Sequence, residues 1–180
     1  MRSKQLKIRH RDGGLTLLES LITLAIVSVL LAMAAPSFKS QIAIARARAG
    51  AEQLYAAVQF ARTTAQLRGQ TVMLCPISDL TDEWPACSGH FGQTLAAIAM
   101  GPTRGELLRV WSPPKGVTVT NRSGARWVTG ALQWDSQGLG SRNLTLSVCA
   151  LEHNWSVITN RLGRPRLASD WGVCPAVAGV

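Results

Sequence analysis

The chain has 180 residues, of which 47% are hydrophobic and 16% charged, with a net charge of +9 and four cysteines. So much apolar content with so little charge excludes a disordered chain, and the length leaves room for one domain with a core beside a membrane anchor. The charge is uneven: residues 1–14 carry a net +4, residues 15–103 balance to zero, and residues 104–180 hold nine basic against four acidic residues, a net +5.

The first 14 residues are a short basic leader ending in Gly13-Gly14. A positive segment of this kind keeps its end of the chain in the cytoplasm. The apolar run from Leu15 to Phe38 follows; its 24 residues would span about 36 Å as a helix, enough to cross the hydrocarbon core. Glu19 stands near its start, and no charged residue follows from Ser20 to Phe38. Burying an unpaired carboxylate in lipid costs several kcal/mol, so a retained one needs a partner. Pro36 lies near the outer end, where a bend is tolerable. Ala32-Met33-Ala34 matches the small-x-small site of an ordinary, Sec-exported signal peptide, but Glu19 inside the apolar region counts against that reading.

Beyond Phe38 the apolar spacing is helical. Phe38, Ile42, Ala45 and Ala49, then Leu54, Val58, Ala61 and Ala65, recur at intervals of three and four, and Gly69 is a stop signal. A helix from about Leu15 to Arg68 would be about 80 Å long. After Gly69 the period falls to two. Residues 71–75, 95–100, 107–111, 117–121, 131–134, 144–149, 156–159 and 164–167 read as short strands separated by Gly, Pro, Asn and Ser. Residues 76–93, with Pro76 and Pro85, read as a loop. The fold class is therefore α+β, with one or two antiparallel sheets packed on the amphipathic half of a long helix.

Cys75, Cys87, Cys149 and Cys174 all follow the apolar segment, on the oxidising side of the membrane if the leader stays inside. Of the three possible pairings, Cys75–Cys87 and Cys149–Cys174 each close a short loop within one region. No Cys-x-x-Cys occurs and the three histidines are scattered, so neither a metal site nor a cofactor is expected.

The junction Arg11-Asp12-Gly13-Gly14-Leu15-Thr16-Leu17-Leu18-Glu19 resembles the class III signal of type IV pilins. With Val72-Met73-Leu74-Cys75-Pro76 and the stretch Ser156 to Leu167, the chain is similar to the GspH/FimT family of type IV minor pilins and type II secretion pseudopilins, closer to the FimT branch. The resemblance implies a type IV pilin-like fold and cleavage by prepilin peptidase after Gly14. Leu15 would become the new, usually N-methylated, terminus; typical pilins carry Phe there, and Leu is an apolar replacement. It also implies that Glu19 pairs with the free amine of a neighbouring pilin or pseudopilin during subunit assembly. The division that follows is a leader at 1–14, a transmembrane helix at 15–38, an amphipathic half at 39–69 and a β domain at 70–180. The chain would sit in the bacterial inner membrane with its C-terminal domain in the periplasm, reaching the cell surface in a pilus.

Binding residues are sought where the charge accumulates. Arg164 and Arg166, two apart in an expected strand, share a face, and Pro165 lacks an N–H and marks that strand as an edge. Arg161 precedes them in the turn, and neighbouring guanidiniums there could engage successive phosphates. The motif Gly163-Arg164-Pro165-Arg166 is similar to a Gly-Arg-x-Arg motif of the FimT branch, which is linked to DNA capture in natural transformation. DNA is thus the implied partner, with Arg122, Arg126 and Arg142 as secondary contacts. The plainer reading is a charged edge that discourages aggregation. Trp155 and Trp171 flank the arginines and could stack on bases of single-stranded DNA, but tryptophans in a small β domain read first as packing residues, and neither is taken as a site. No Ser/His/Asp constellation or nucleophile elbow is present, so no enzyme is expected, and Asp79, Asp82 and Glu83 lack the spacing of a calcium loop.

Overall fold

The computed structural model describes residues 16–78, 87–101, 104–112 and 115–175. The chain divides into two units between Ser40 and Gln41. The first contains the start of helix α1 (Leu17–Arg68). Thr16 caps it, its Oγ1 accepting the Glu19 N–H at 3.3 Å. Thr-x-x-Glu is capping-box spacing, and an acid in the first turn also sits at the positive end of the helix dipole. The large apolar side chains from Leu17 to Met33 are exposed. The hydroxyls of Ser20, Thr23 and Ser28 donate to helix carbonyls at 3.2, 2.9 and 2.8 Å. Apolar groups facing outward, with hydroxyls satisfied by their own backbone, suit a hydrocarbon environment. This helix is long and apolar enough to cross a membrane.

In the second unit α1 buries Ala43, Ala47, Ala51, Leu54, Ala57, Val58, Ala61 and Ala65, a stripe at spacings of three and four. Its later part follows the expected face. The earlier part does not: Phe38 is 67% and Ile42 48% exposed, and Ala45 and Ala49 are exposed too. Alanine is what the packing selects here. Ala43 and Ala47 pack against Ala150, Val117 and Trp155, and a larger side chain would hold the sheet off. Gly69, at φ +64°, ends the helix, and the Gln70 N–H reaches back to the Ala65 carbonyl at 3.2 Å, as in a Schellman motif.

Eight strands follow among the described residues: β1 (Val72–Pro76), β2 (Leu95–Met100), β3 (Gly105–Trp111), β4 (Thr118–Thr120), β5 (Leu132–Trp134), β6 (Leu144–Ala150), β7 (His153–Thr159) and β8 (Pro165–Ser169). Each lies where alternation placed one. The largest displacement, the start of β7, arises because Leu151 and Glu152 form a two-residue turn with Ala150 opposite His153. Pairing is antiparallel in two four-stranded sheets, β3-β2-β1-β5 and β4-β6-β7-β8.

Both sheets bury one face on α1. Val72, Leu74 and Ala97 of the first, and Leu146, Val148 and Val157 of the second, join Leu54, Val58 and Ala61 in one core. The other face of the second sheet is polar, yet Thr120, Ser147, Asn154 and Ser156 on it are buried. The C-terminal segment covers them. Asp170 N–H donates to the Asn154 carbonyl at 3.2 Å, Gly172 N–H to Asn154 Oδ1 at 3.0 Å and Val173 N–H to the Arg122 carbonyl at 2.9 Å. A side chain at Gly172 would collide with Ser147 Oγ. The expected disulfides are both formed, Cys75–Cys87 with Cα atoms 5.4 Å apart and Cys149–Cys174 with 5.6 Å. The second ties this covering segment to β6.

Candidate functional site

The arginine turn is held from three sides. It connects β7 to β8, with the Gly163 N–H closing it onto the Asn160 carbonyl at 2.9 Å. Arg161 N–H donates to Asn143 Oδ1 at 2.9 Å, and the Arg161 carbonyl accepts the Gly140 N–H at 2.9 Å. The Gly163 carbonyl accepts the indole N–H of buried Trp134 at 3.2 Å. Gly163 has φ +73°, and a Cβ there would strike the Gly138 carbonyl. Gly138 sits in a loop that Asp135 shapes, its Oδ1 accepting the N–H groups of Gln137 and Leu139 at 2.9 and 2.8 Å. Arg62 and Gln66 of α1 hold the same loop through the carbonyls of Gly138 and Gln137. The turn is thus packed on a loop that the helix itself fixes.

With the backbone fixed, the charges point outward. Arg161, Arg164 and Arg166 are exposed, whereas Gly163 is buried and shapes the turn from beneath. β8 pairs only with β7, so it is an edge strand as Pro165 requires. Arg166 lies opposite Ile158, on the face turned away from the helix. None of the three arginines forms an ion pair among the described residues. Positive charge on a fixed edge without a carboxylate partner is available to an anion.

Of the secondary arginines, one joins this edge. Arg122 lies 4.5 Å and Arg166 5.1 Å from the centroid of the Trp171 ring. Both distances fall within cation–π range, so two cations from separate elements are gathered at one indole. Trp171, 42% exposed, is the residue that sequence reasoning passed over. It lies in an irregular segment, where no periodicity reveals a facing direction; its nearness to the arginine motif and to Cys174 were the available signals. Trp155 does read correctly as packing, against the core and under Arg48. Arg126 is exposed, its backbone paired with Asn121 beside Arg122. Arg142 is turned inward to the Thr129 carbonyl at 3.0 Å.

Gly14 and Leu15 lie outside the described residues, as do Asp79, Asp82 and Glu83. Glu19 is exposed at the start of α1.

Comparison with known proteins adds the following. A family model described as type II transport protein GspH matches residues 50–163, and one for the prokaryotic N-terminal methylation motif matches residues 9–35. The fold is similar to that of the type IV minor pilin FimU of Pseudomonas aeruginosa, with a TM-score of 0.52 and 17% identity over 70% of this chain and 93% of that one. It is similar to the same degree to the minor pseudopilin EpsH from the type 2 secretion system of Vibrio cholerae, with a TM-score of 0.51 and 16% identity over 69% and 97%. Comparison with curated proteins gives no match. The GspH match ends at Gly163, so Arg164, Arg166 and Trp171 fall beyond it.

Proposed function

This chain belongs to the GspH family of pilins and pseudopilins, structural rather than catalytic proteins, and within that family we propose that it is a FimT-like minor type IV pilin that binds DNA without sequence specificity. Membership implies association with other pilins or pseudopilins, and the methylation motif implies processing by prepilin peptidase. The cut falls after Gly14, removing residues 1–14 and freeing the amine of Leu15. Residues 15–38 then anchor the subunit in the inner membrane, residues 39–69 carry the amphipathic half of the helix, and residues 70–180 stand in the periplasm. In a filament, Glu19 pairs with a neighbour's terminal amine, and the β domain lies at the cell surface. A start at Leu15 in the sequenced N-terminus of mature protein is expected. A start at Ala35 would instead identify a Sec-processed soluble protein.

DNA binding rests on one observation above the others: Arg166 on the edge strand and Arg164, which immediately precedes that strand rather than sharing it as expected, are both exposed and unpaired with any acid among the described residues. Phosphate contacts of this kind give affinity without base reading, and each one lost flattens the salt dependence by about one unit of log–log slope. The test is a salt titration of DNA binding by the full chain in nonionic detergent. Arg164→Ala/Arg166→Ala is expected to weaken binding and lower the slope by about two. A double variant that binds as the parent does removes the site. The competing reading is a pseudopilin of type II secretion with no DNA ligand, with which the GspH family match is equally consistent. It predicts no salt-dependent binding by either protein.

A further inference from the structure

We propose that the open cavity beside Trp171 is a second phosphodiester subsite continuing the arginine edge, and that the ligand spanning both is single-stranded polynucleotide. This rests on the DNA reading and narrows it. The cavity, of about 580 Å³, lies between the segment after β4, the start of β6 and the C-terminal segment. Asn121, Arg122, Ser123, Asn143, Thr145 and Trp171 line it, and no acid does.

The two amides are oriented by their neighbours. Asn121 Oδ1 accepts from Ser123 Oγ at 3.0 Å and from the Arg126 N–H at 3.3 Å. Asn143 Oδ1 accepts the Arg161 N–H that steadies the arginine turn. A backbone N–H can only donate, so each amide must present its oxygen to it and turn its NH₂ elsewhere. Neither NH₂ has a partner among the described residues. With the Arg122 guanidinium, the cavity therefore offers several donors and no carboxylate, which suits an anion with several oxygens. Asn143 ties the cavity directly to the turn that carries Arg161, and Arg166 meets Arg122 across Trp171.

Apolar surface decides between polynucleotide forms. Trp171 and Val173, 42% and 60% exposed, line the same cavity as the donors. A duplex presents phosphates and keeps its bases stacked inside, leaving that surface without a partner. A single strand places an unstacked base or sugar beside each phosphate, and such contacts are worth about five- to a hundredfold in affinity per base. The cavity is also preformed. Cys149–Cys174 and the hydrogen bonds of Asp170, Gly172 and Val173 fix the segment that carries Trp171, so little ordering accompanies binding.

The test measures anisotropy of labelled oligothymidylate and of a duplex of equal length with the full chain in nonionic detergent. Oligothymidylate is expected to bind more tightly. Trp171→Ala should weaken it about tenfold and leave the duplex little changed. Asn121→Asp keeps the oxygen that holds the loop and replaces the donor with a negative charge, so it should weaken oligothymidylate binding without depending on the Trp171 variant being folded. If Arg164→Ala/Arg166→Ala weakens both forms while Trp171→Ala and Asn121→Asp weaken neither, the subsite is refuted and the arginine edge stands. If inorganic phosphate binds the cavity while Trp171→Ala leaves oligothymidylate affinity unchanged, the cavity is a simple anion site and the polynucleotide assignment is overturned. Absence of binding to either form refutes the subsite together with the DNA reading.

Discussion

Gly163→Ala separates the shape of the arginine motif from its charge. Gly163 has φ +73° and is buried, and an added Cβ would meet the Gly138 carbonyl and approach Trp134 Cδ1 at 2.9 Å. Holding an alanine in the left-handed region costs about 1 kcal/mol. The Gly138 carbonyl cannot simply retreat, because Arg62 of α1 holds it at 3.3 Å. The turn must move instead, weakening the buried bond between Trp134 Nε1 and the Gly163 carbonyl, a loss of about 1–3 kcal/mol. The sum is about 3 kcal/mol, or about 10 °C in Tm for a domain of this size. Thermal unfolding of the full chain in detergent, followed by tryptophan fluorescence, reads it. Gly140→Ala is the control: its Cβ would lie 3.0 Å from the Asn160 carbonyl with no positive φ, and a smaller loss is expected. A Gly163→Ala protein with unchanged Tm would show that the turn is not seated on the 135–140 loop as described.

Three further outcomes are expected. Replacing Cys149 and Cys174 by serine opens a loop of sequence separation 25 and should cost about 3.5 kcal/mol in denaturant unfolding, and reductant, which opens Cys75–Cys87 as well, should cost the parent more. Leu151, at φ +52° and 62% exposed, should accept glycine with a gain of about 0.5–1 kcal/mol; a loss on chemical denaturation would mean the leucine has a contact that outweighs its backbone strain. Ala61→Leu, at a fully buried position facing both sheets, should cost about 1–3 kcal/mol by overpacking, and a neutral result would contradict the close approach of helix and sheets.

Much of the fold was legible because its signals are local. Alternation located all eight described strands, Gly69 stopped the helix where its left-handed φ requires, and loop length selected the disulfides. The helix face was misread where hydrophobicity and burial part company. Phe38 and Ile42 are more apolar than Ala43 and Ala47, yet the alanines are inside, because backbone proximity rather than side-chain transfer energy sets that contact. Thr16 and Glu19 stand at capping-box spacing in the sequence, and the cap that forms satisfies the Glu19 backbone N–H while leaving its carboxylate exposed. Trp171 was hidden for another reason. Its role depends on a segment folding back over the second sheet, a contact between residues distant in sequence that no spacing rule encodes.

That fold-back bears on what the arginines are for. A guard against edge-to-edge pairing needs charge somewhere along β8, and Lys or Arg at any outward position would serve. It does not need a tryptophan to draw in a second arginine from the segment after β4, nor a disulfide and three backbone hydrogen bonds to fix that tryptophan. It does not need an asparagine that steadies the Arg161 backbone and also lines a cavity without carboxylates. Organised positive charge carries a repulsive cost among the arginines themselves, and a guard would minimise that cost by spreading them. Their convergence is accounted for by an anion that binds several of them together, which is why the salt slope, rather than affinity alone, distinguishes a binding edge from a protected one.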